Sequence, residues 1–232
     1  MPQLTPPRTK DAIVAAVAIV AVYLLLIGQG WVLHKAQAPR EVVVVALPAI
    51  ILASLVVPTW LLIRYLRRRG LELGFTRLGR DGWHLLWRVP ALILAAGLAT
   101  GVVAPLLGIT PGADSAAETL AGEATNALPI LLVLAGYLLL GPFIEELVFR
   151  RVLLNYFDTR MPGWASILLT SMIFGVAHVA PPAIIYTFFF GIGLAWLARL
   201  HGGITSSLIA HLVNNTVANL GVFAALFTQV AG

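Results

Sequence analysis

Apolar residues run along this chain in blocks of about 17–25, the length that spans a bilayer as helix, and short polar stretches rich in arginine, glycine and proline separate them. The blocks show neither the strict alternation of a half-buried strand nor the single apolar stripe of a surface helix. Seven are apparent, at 12–33, 42–63, 84–107, 127–149, 164–180, 183–199 and 204–230. The last holds Asn214, Asn215, Asn219 and Gly221 and is long enough to break in two. The pattern predicts an all-α, polytopic membrane bundle of seven or eight transmembrane helices. Residues 1–232 form one domain, with no internal repeat and no extramembrane stretch long enough for a second.

Composition sharpens this picture. Of 232 residues, 59% are hydrophobic and 11% charged, whereas a soluble domain needs about 25% charged residues to coat its surface. The net charge of +5 is unevenly placed, with Arg64, Arg67, Arg68, Arg69, Arg77, Arg80 and Arg88 falling between the second and third blocks. Clustered arginines mark a cytoplasmic loop; a lipid-headgroup or partner site is the second reading. That puts the N-terminus inside. The loop near 108–126, with Asp114, Glu118 and Glu123 and no Lys or Arg, then lies outside, and Arg150, Arg151, Arg160 and Arg199 return to the inner side. Arg8 and Lys10 precede the first block as in a signal peptide, but the block exceeds the usual apolar core of about 7–15 residues, so an uncleaved helix is expected. Trp31, Trp60, Trp83, Trp87 and Tyr65 suit an interfacial belt, and His34, His84 and His201 fall at predicted helix ends. No nucleic-acid motif is present. The absence of cysteine removes thiol nucleophiles and Cys-based metal sites.

Against that apolar background, a few polar residues stand out: Glu145, Glu146 and Arg150 in LLLGPFIEELVFRRVLL, His178 closing ILLTSMIFGVAH, and His211 with Asn215 in SSLIAHLVNNTVANL. An ionisable group in hydrocarbon costs about 2.5–3.5 kcal/mol on insertion scales, so such groups face a cavity or a partner and mark function. On a helix, Glu145 and Glu146 diverge by about 100° and take different jobs. Glu146 and Arg150, four apart, are placed to pair; Glu145 is left without a local partner. Phe174 with His178, and His211 with Asn215, each share a face. If the fourth helix runs on to about Phe157 and the chain turns at Met161-Pro162-Gly163, Glu145 and His178 both stand roughly 25 Å up a helical hairpin. From a turn at His201-Gly202-Gly203, Asn215 and His211 stand roughly 18 and 12 Å up. Asn214 is expected to face elsewhere, as a packing or helix-bridging residue.

This constellation suits the addition of water to a peptide bond, which needs a base, donors for the developing oxyanion and a proton for the leaving amine. Glu145 is the candidate base, with His178 sharing the water. His211 and Asn215 offer donors toward one point. Covalent catalysis is weaker, since no serine lies in a nucleophile-elbow context. The same Glu145, His178 and His211 are also a ligand set used by catalytic zinc, without the compact HExxH spacing. A metal-free site is the first choice and a divalent metal such as zinc the alternative. Two other classes compete: a proton-coupled transporter, against which stands the lack of a two-fold repeat of broken helices, and a catalytically silent membrane factor that binds a peptide or partner.

The ordered motifs EExxxR (Glu145, Glu146, Arg150), FxxxH (Phe174, His178) and HxxxN (His211, Asn215) resemble those of the CPBP intramembrane proteases, the CAAX-prenyl-endopeptidase, bacteriocin-processing and abortive-infection family. The resemblance covers roughly residues 127–230, the expected catalytic helices. It implies that Glu145 and His178 activate the water, that His211 and Asn215 polarise the carbonyl, and that Glu146 and Arg150 are needed structurally. Members have been described both as metalloproteases and as metal-independent glutamate proteases, so the metal question stays open. The implied partners are membrane lipid and a peptide or protein substrate. The implied location is a prokaryotic cell membrane, with the N-terminus cytoplasmic.

Overall fold

The structure is a computed structural model that describes residues 4–109 and 127–224. The acidic loop Asp114–Glu123 and the end of the last predicted block lie outside the described residues. Those that are described fold as helices without strands. They are α1 (Thr9–Lys35), α2 (Arg40–Arg68), α3 (Leu85–Leu106), α4 (Leu128–Asp158), α5 (Gly163–Val176), α6 (Pro181–Leu200) and α7 (Thr205–Ala218). Five helices, α1 to α4 and α6, are long and apolar enough to cross a membrane. α5 and α7, with 14 residues each, are shorter. The last predicted block breaks at Asn219, and helix resumes at Leu220.

Local chemistry sets the boundaries. Asp11 caps α1 by accepting the Arg8 N–H at 2.8 Å, which satisfies one of the donors a helix start leaves free. The same buried carboxylate accepts the Tyr65 hydroxyl at 2.7 Å and Arg69 Nε at 3.2 Å, tying α1 to the end of α2. Tyr65, expected in an interfacial belt, is thus a partner of a buried acid; Trp31, Trp60, Trp83 and Trp87 are exposed on the apolar surface as expected. α4 runs past Phe149 to Asp158, and the turns before Gly163 and at His201–Gly203 fall where the sequence places them. α5 and α6 form a close hairpin. A Cβ on Gly175 would lie 2.9 Å from the Ile184 carbonyl oxygen, so only glycine permits the approach.

The arginine-rich loop after α2 is docked rather than free. Gly74, at φ +86°, turns its carbonyl onto the Ile204 N–H at 2.8 Å, a conformation open to glycine at little cost. Thr76 N–H donates to Thr205 Oγ1 at 2.8 Å. Arg151, only 1% exposed, donates to the carbonyls of Glu72 and Thr5 and pairs with the Glu72 carboxylate at 3.4 Å. Loop arginines and the α4–α5 and α6–α7 turns therefore share one end of the bundle, as the charge pattern predicts. Two expectations change. Arg151 is buried rather than exposed as a topology signal, because it finds acceptors inside the fold. His201, expected at an interface, is 6% exposed, with Nδ1 3.2 Å from the Leu197 carbonyl oxygen.

Replacing Arg151 by Met leaves two carbonyls and Glu72 without their donor. Thermal unfolding in detergent is expected to show a loss of about 1–3 kcal/mol for each unsatisfied buried group. Glu72→Gln should cost less than about 1 kcal/mol, since that carboxylate is half exposed. Hydrogen bonds from its own backbone N–H and from Thr5 hold Glu72 below the usual glutamate range despite partial desolvation. Its small contribution is therefore present above about pH 4.3 and lost as the pH falls through the depressed value. Glu72→Gln should flatten that acid limb; equal losses from the two variants would sink the assignment of Arg151 as the main anchor.

Candidate active site

The site is built on irregularities in α4. Segments Gly136–Leu140 and Glu146–Leu154 are wound as π-helix, on either side of a short α-helical turn, Gly141–Glu145. Widened turns of this kind recur at functional sites. The first has a readable cause. Pro142 carries no N–H, and the Gly141 N–H goes to the Gly136 carbonyl. The Tyr137 carbonyl, which Gly141 would serve in an α-helix and Pro142 in a π-helix, is left free. The Asn215 side chain fills the gap, donating Nδ2 to it at 2.9 Å. Lower down, Asn155 Nδ2 donates to the carbonyls of Arg150 and Arg151 at 2.8 and 3.0 Å.

Four charged or titratable groups meet between α4 and α7. His211 Nδ1 lies 3.0 Å from Glu146 Oε1, and its Nε2 lies 3.5 Å from Glu145 Oε2. The Arg150 Nη1 reaches the same Glu146 oxygen at 3.6 Å. Glu146, Arg150 and His211 are buried, whereas the Glu145 side chain is 17% exposed. The expected Glu146–Arg150 pair is present, but His211 is the closer partner of Glu146. Glu145, expected to lack a local partner, takes one from α7 in His211. The two carboxylates do diverge, yet they bracket one imidazole because its two nitrogens point to different sides. With both ring nitrogens protonated, His211 presents an N–H to each carboxylate, and the four groups sum to zero charge.

Phe174 is the packing hub of this cluster. It is fully buried, with the Arg150 guanidinium 4.2 Å above its ring. The His178 and His211 rings meet it edge-on at centroid distances of 4.8 and 5.7 Å. His178 lies beyond the end of α5, which stops at Val176 rather than near 180, before a turn at Val179 with φ +61°. Its Nδ1 is 2.9 Å from the Phe174 carbonyl oxygen. A carbonyl only accepts, so Nδ1 is the donor, and Nε2 is the ring nitrogen left for the cavity. Among the described residues no hydrogen bond or ion pair joins His178 to Glu145.

All four predicted catalytic residues line one cavity of about 430 Å³. Its other walls include Tyr23 from α1, Tyr137 and Tyr186, which the sequence did not single out, and Asn214, which it did. Asn214 does not face elsewhere. It accepts the Tyr186 hydroxyl, at 2.5 Å, and donates to Asn215 Oδ1 at 3.2 Å, fixing the amide that holds Tyr137. One N–H of Asn215 remains to point at a ligand. Tyr23 and Tyr186 could have been noticed as hydroxyls placed mid-span rather than at a belt. As for a metal, both histidines have their Nδ1 held by an acceptor, as ligating histidines do. Even so, among the described residues no three His, Asp or Glu side chains converge closely enough to hold an ion. The donor set is present but not assembled.

Residues 127–217 match the family model described as type II CAAX prenyl endopeptidase Rce1-like. The chain is similar to "Putative membrane peptidase YdiL" of Bacillus subtilis (strain 168), with 24% identity over 138 residues, 58% of this chain and 55% of that protein. The similarity thus spans about half the length of that relative. No solved structure matches the chain. Every member of the Glu145–Glu146–Arg150–His211 cluster, with Phe174, His178 and Asn215, falls inside the matched stretch; α1 to α3 fall outside it.

Glu146 is held from two sides, and this predicts an order of effects. Breaking a buried pair by removing one partner costs about 3–5 kcal/mol. Arg150→Met leaves Glu146 its contact with His211, whereas Glu146→Gln removes the carboxylate that serves both. Thermal unfolding in detergent should show the larger loss for Glu146→Gln and a double-variant loss well below the sum. Additive losses would mean that the two groups do not interact.

Proposed function

From an Rce1-like domain over residues 127–217 whose charged side chains border a cavity between apolar helices, we propose that this protein is an intramembrane endopeptidase. It hydrolyses a peptide bond of a membrane-associated substrate, such as a prenylated or leader-bearing chain. The observation that carries the proposal is that Glu145, His178, His211 and Asn215, from three separate segments, all line one cavity. We place the chain in a prokaryotic cell membrane as a multi-pass protein with a cytoplasmic N-terminus.

In this reading Glu145 is the base. It is the carboxylate that faces the cavity, and Glu146 is committed to Arg150 and His211. A water held between Glu145 and His178 Nε2 gives a proton to Glu145 as its oxygen adds to the substrate carbonyl. The oxyanion takes the free N–H of Asn215. His211, whose Nε2 lies 3.5 Å from Glu145 Oε2, supports with Asn215 the charge that develops on the carbonyl oxygen. The proton then passes to the departing amine, which closes the proton balance without a covalent intermediate. In this reading no step runs through a metal; Glu145, His178 and His211 are the side chains that would hold a divalent ion such as zinc. Tyr23 stands across the cavity as a positioning residue.

Two outcomes test the proposal. Glu145→Gln, purified and folded, should cleave a labelled peptide at least about 10²–10⁴-fold more slowly than wild type, and exhaustive chelation should leave wild-type cleavage intact. Stoichiometric zinc with loss on chelation and recovery on return would replace the metal-free mechanism. Undiminished turnover by Glu145→Gln would remove Glu145 from the chemistry. Asn215→Ala is expected to lower kcat more than it raises KM, with one oxyanion donor worth about 2.7–4 kcal/mol. An effect on KM alone would make Asn215 a substrate-positioning residue.

A further inference from the structure

A second cavity, of about 480 Å³, lies between α3 and α6, away from the catalytic cluster. Its lining is wholly apolar: Leu92, Ala95 and Ala99 on one helix, Phe189, Ile192 and Trp196 on the other. The helices touch closely beneath it, since a Cβ on Gly193 would lie 2.6 Å from Leu92 Cδ2. Its lining along α3 thus recurs at helical spacing, and the alanines leave a slot open toward the lipid.

One end of this slot is polar. The Arg88 guanidinium lies against the rings of Trp87 and Trp196, at 5.3 and 5.2 Å, and its buried Nε has no hydrogen-bond partner among the described residues. Trp196 therefore belongs to both the slot and the clamp around Arg88. The exposed Trp83 and Trp87 put this end at the membrane–water boundary, on the side of the arginine-rich loop. From Arg88 to Ala99 the helix rises roughly 16 Å, about half of a hydrocarbon core about 30 Å thick. The slot is as deep as one leaflet.

We propose that this groove binds one anionic phospholipid of the cytoplasmic leaflet. Its phosphodiester lies on Arg88, and one acyl chain runs past Ala95 and Ala99 against Phe189 and Ile192. Arginine's planar fork suits a phosphate, and the cytoplasmic leaflet, toward which the arginine-rich loop orients this end of the slot, is the one that carries anionic headgroups. A partner helix fits less well. It would have to bring its own acid to the level of Arg88, at about 2.5–3.5 kcal/mol if placed in hydrocarbon, whereas a lipid phosphate already resides at the boundary. The inference rests on the membrane orientation and not on catalysis.

Native mass spectrometry of the full chain tests it, after delipidation and addition of phosphatidylglycerol or phosphatidylcholine. Wild type should retain one phosphatidylglycerol in preference to phosphatidylcholine. Arg88→Gln should weaken retention by about tenfold or more, the scale of a lost hydrogen bond to a charged group, and Arg88→Lys should restore part of it. Ala95→Leu with Ala99→Leu fills the slot without touching Arg88 and should also release the lipid. Arg68→Gln with Arg80→Gln removes loop charge elsewhere and should change retention by less than about twofold, as for exposed charges. Inorganic phosphate should not compete. Equal retention of the two lipids, equal loss in the loop variant, or a wild-type dimer dissolved by the alanine substitutions would overturn the proposal; so would displacement by inorganic phosphate.

Discussion

Two carboxylates, a guanidinium and an imidazole are packed into the interior of an apolar bundle, and the balance among them constrains the rest of the structure. Charges taken out of water are tolerated only when their partners are held in good geometry. Here the geometry depends on His211, whose two ring nitrogens face Glu146 and Glu145. Placing that ring requires α7 to lie flush against α4. The contact is secured by Asn215 on the Tyr137 carbonyl above and by the docking of the loop at Gly74 and Thr76 below. Phe174 fills the space beside the cluster and gives Arg150 an aromatic face. The FxxxH spacing thus has a structural cause as well as a chemical one: its phenylalanine packs on the ion cluster, and the Phe174 carbonyl orients the histidine.

The cavity is not made by the matched domain alone. α1 and α2 contribute Ile19, Val22, Tyr23, Ile51 and Leu55 to its walls, and the close fit of α2 over α4 depends on Gly136, where a Cβ would lie 2.8 Å from Ile51 Cγ2. These helices resemble the family only in being hydrophobic. The charged groups thus come from the matched stretch, and the cavity wall is shared between that stretch and α1 and α2. The buried Arg151, which ties Thr5 and Glu72 to α4, is the seam between the halves.

Much of this was legible in the sequence, for physical reasons that also mark where legibility ends. The apolar blocks read out the helices because a bilayer demands length and hydrophobicity. The arginines read out which loops share an end. Glu145, Glu146, Arg150, His178, His211 and Asn215 stood out because polar groups in hydrocarbon are costly. Ideal helical geometry then misled. It set His178 on a helix and turned Asn214 away. The π-wound turns of α4, the end of α5 at Val176 and the hydrogen bond from Tyr186 to Asn214 are tertiary outcomes that period counting does not contain. Arg151 looked like a topology signal because the carbonyls that hold it come from residues about 80 and 146 positions away.

The adjacency of Glu145 and Glu146 then acquires a rationale. Identical side chains on consecutive residues differ in what the fold leaves them free to do. Glu146 is fully buried and shares one oxygen between His211 and Arg150, so any proton it accepted would weaken both contacts and the packing around Phe174. Glu145 is partly open to the cavity and has a single, longer contact at 3.5 Å. In the proposed mechanism it takes up and returns a proton while Glu146, 3.0 Å from His211 Nδ1, holds the imidazole in place. In that mechanism the two carboxylates divide the work: Glu146 anchors the histidine, so Glu145 can change its charge without releasing that anchor.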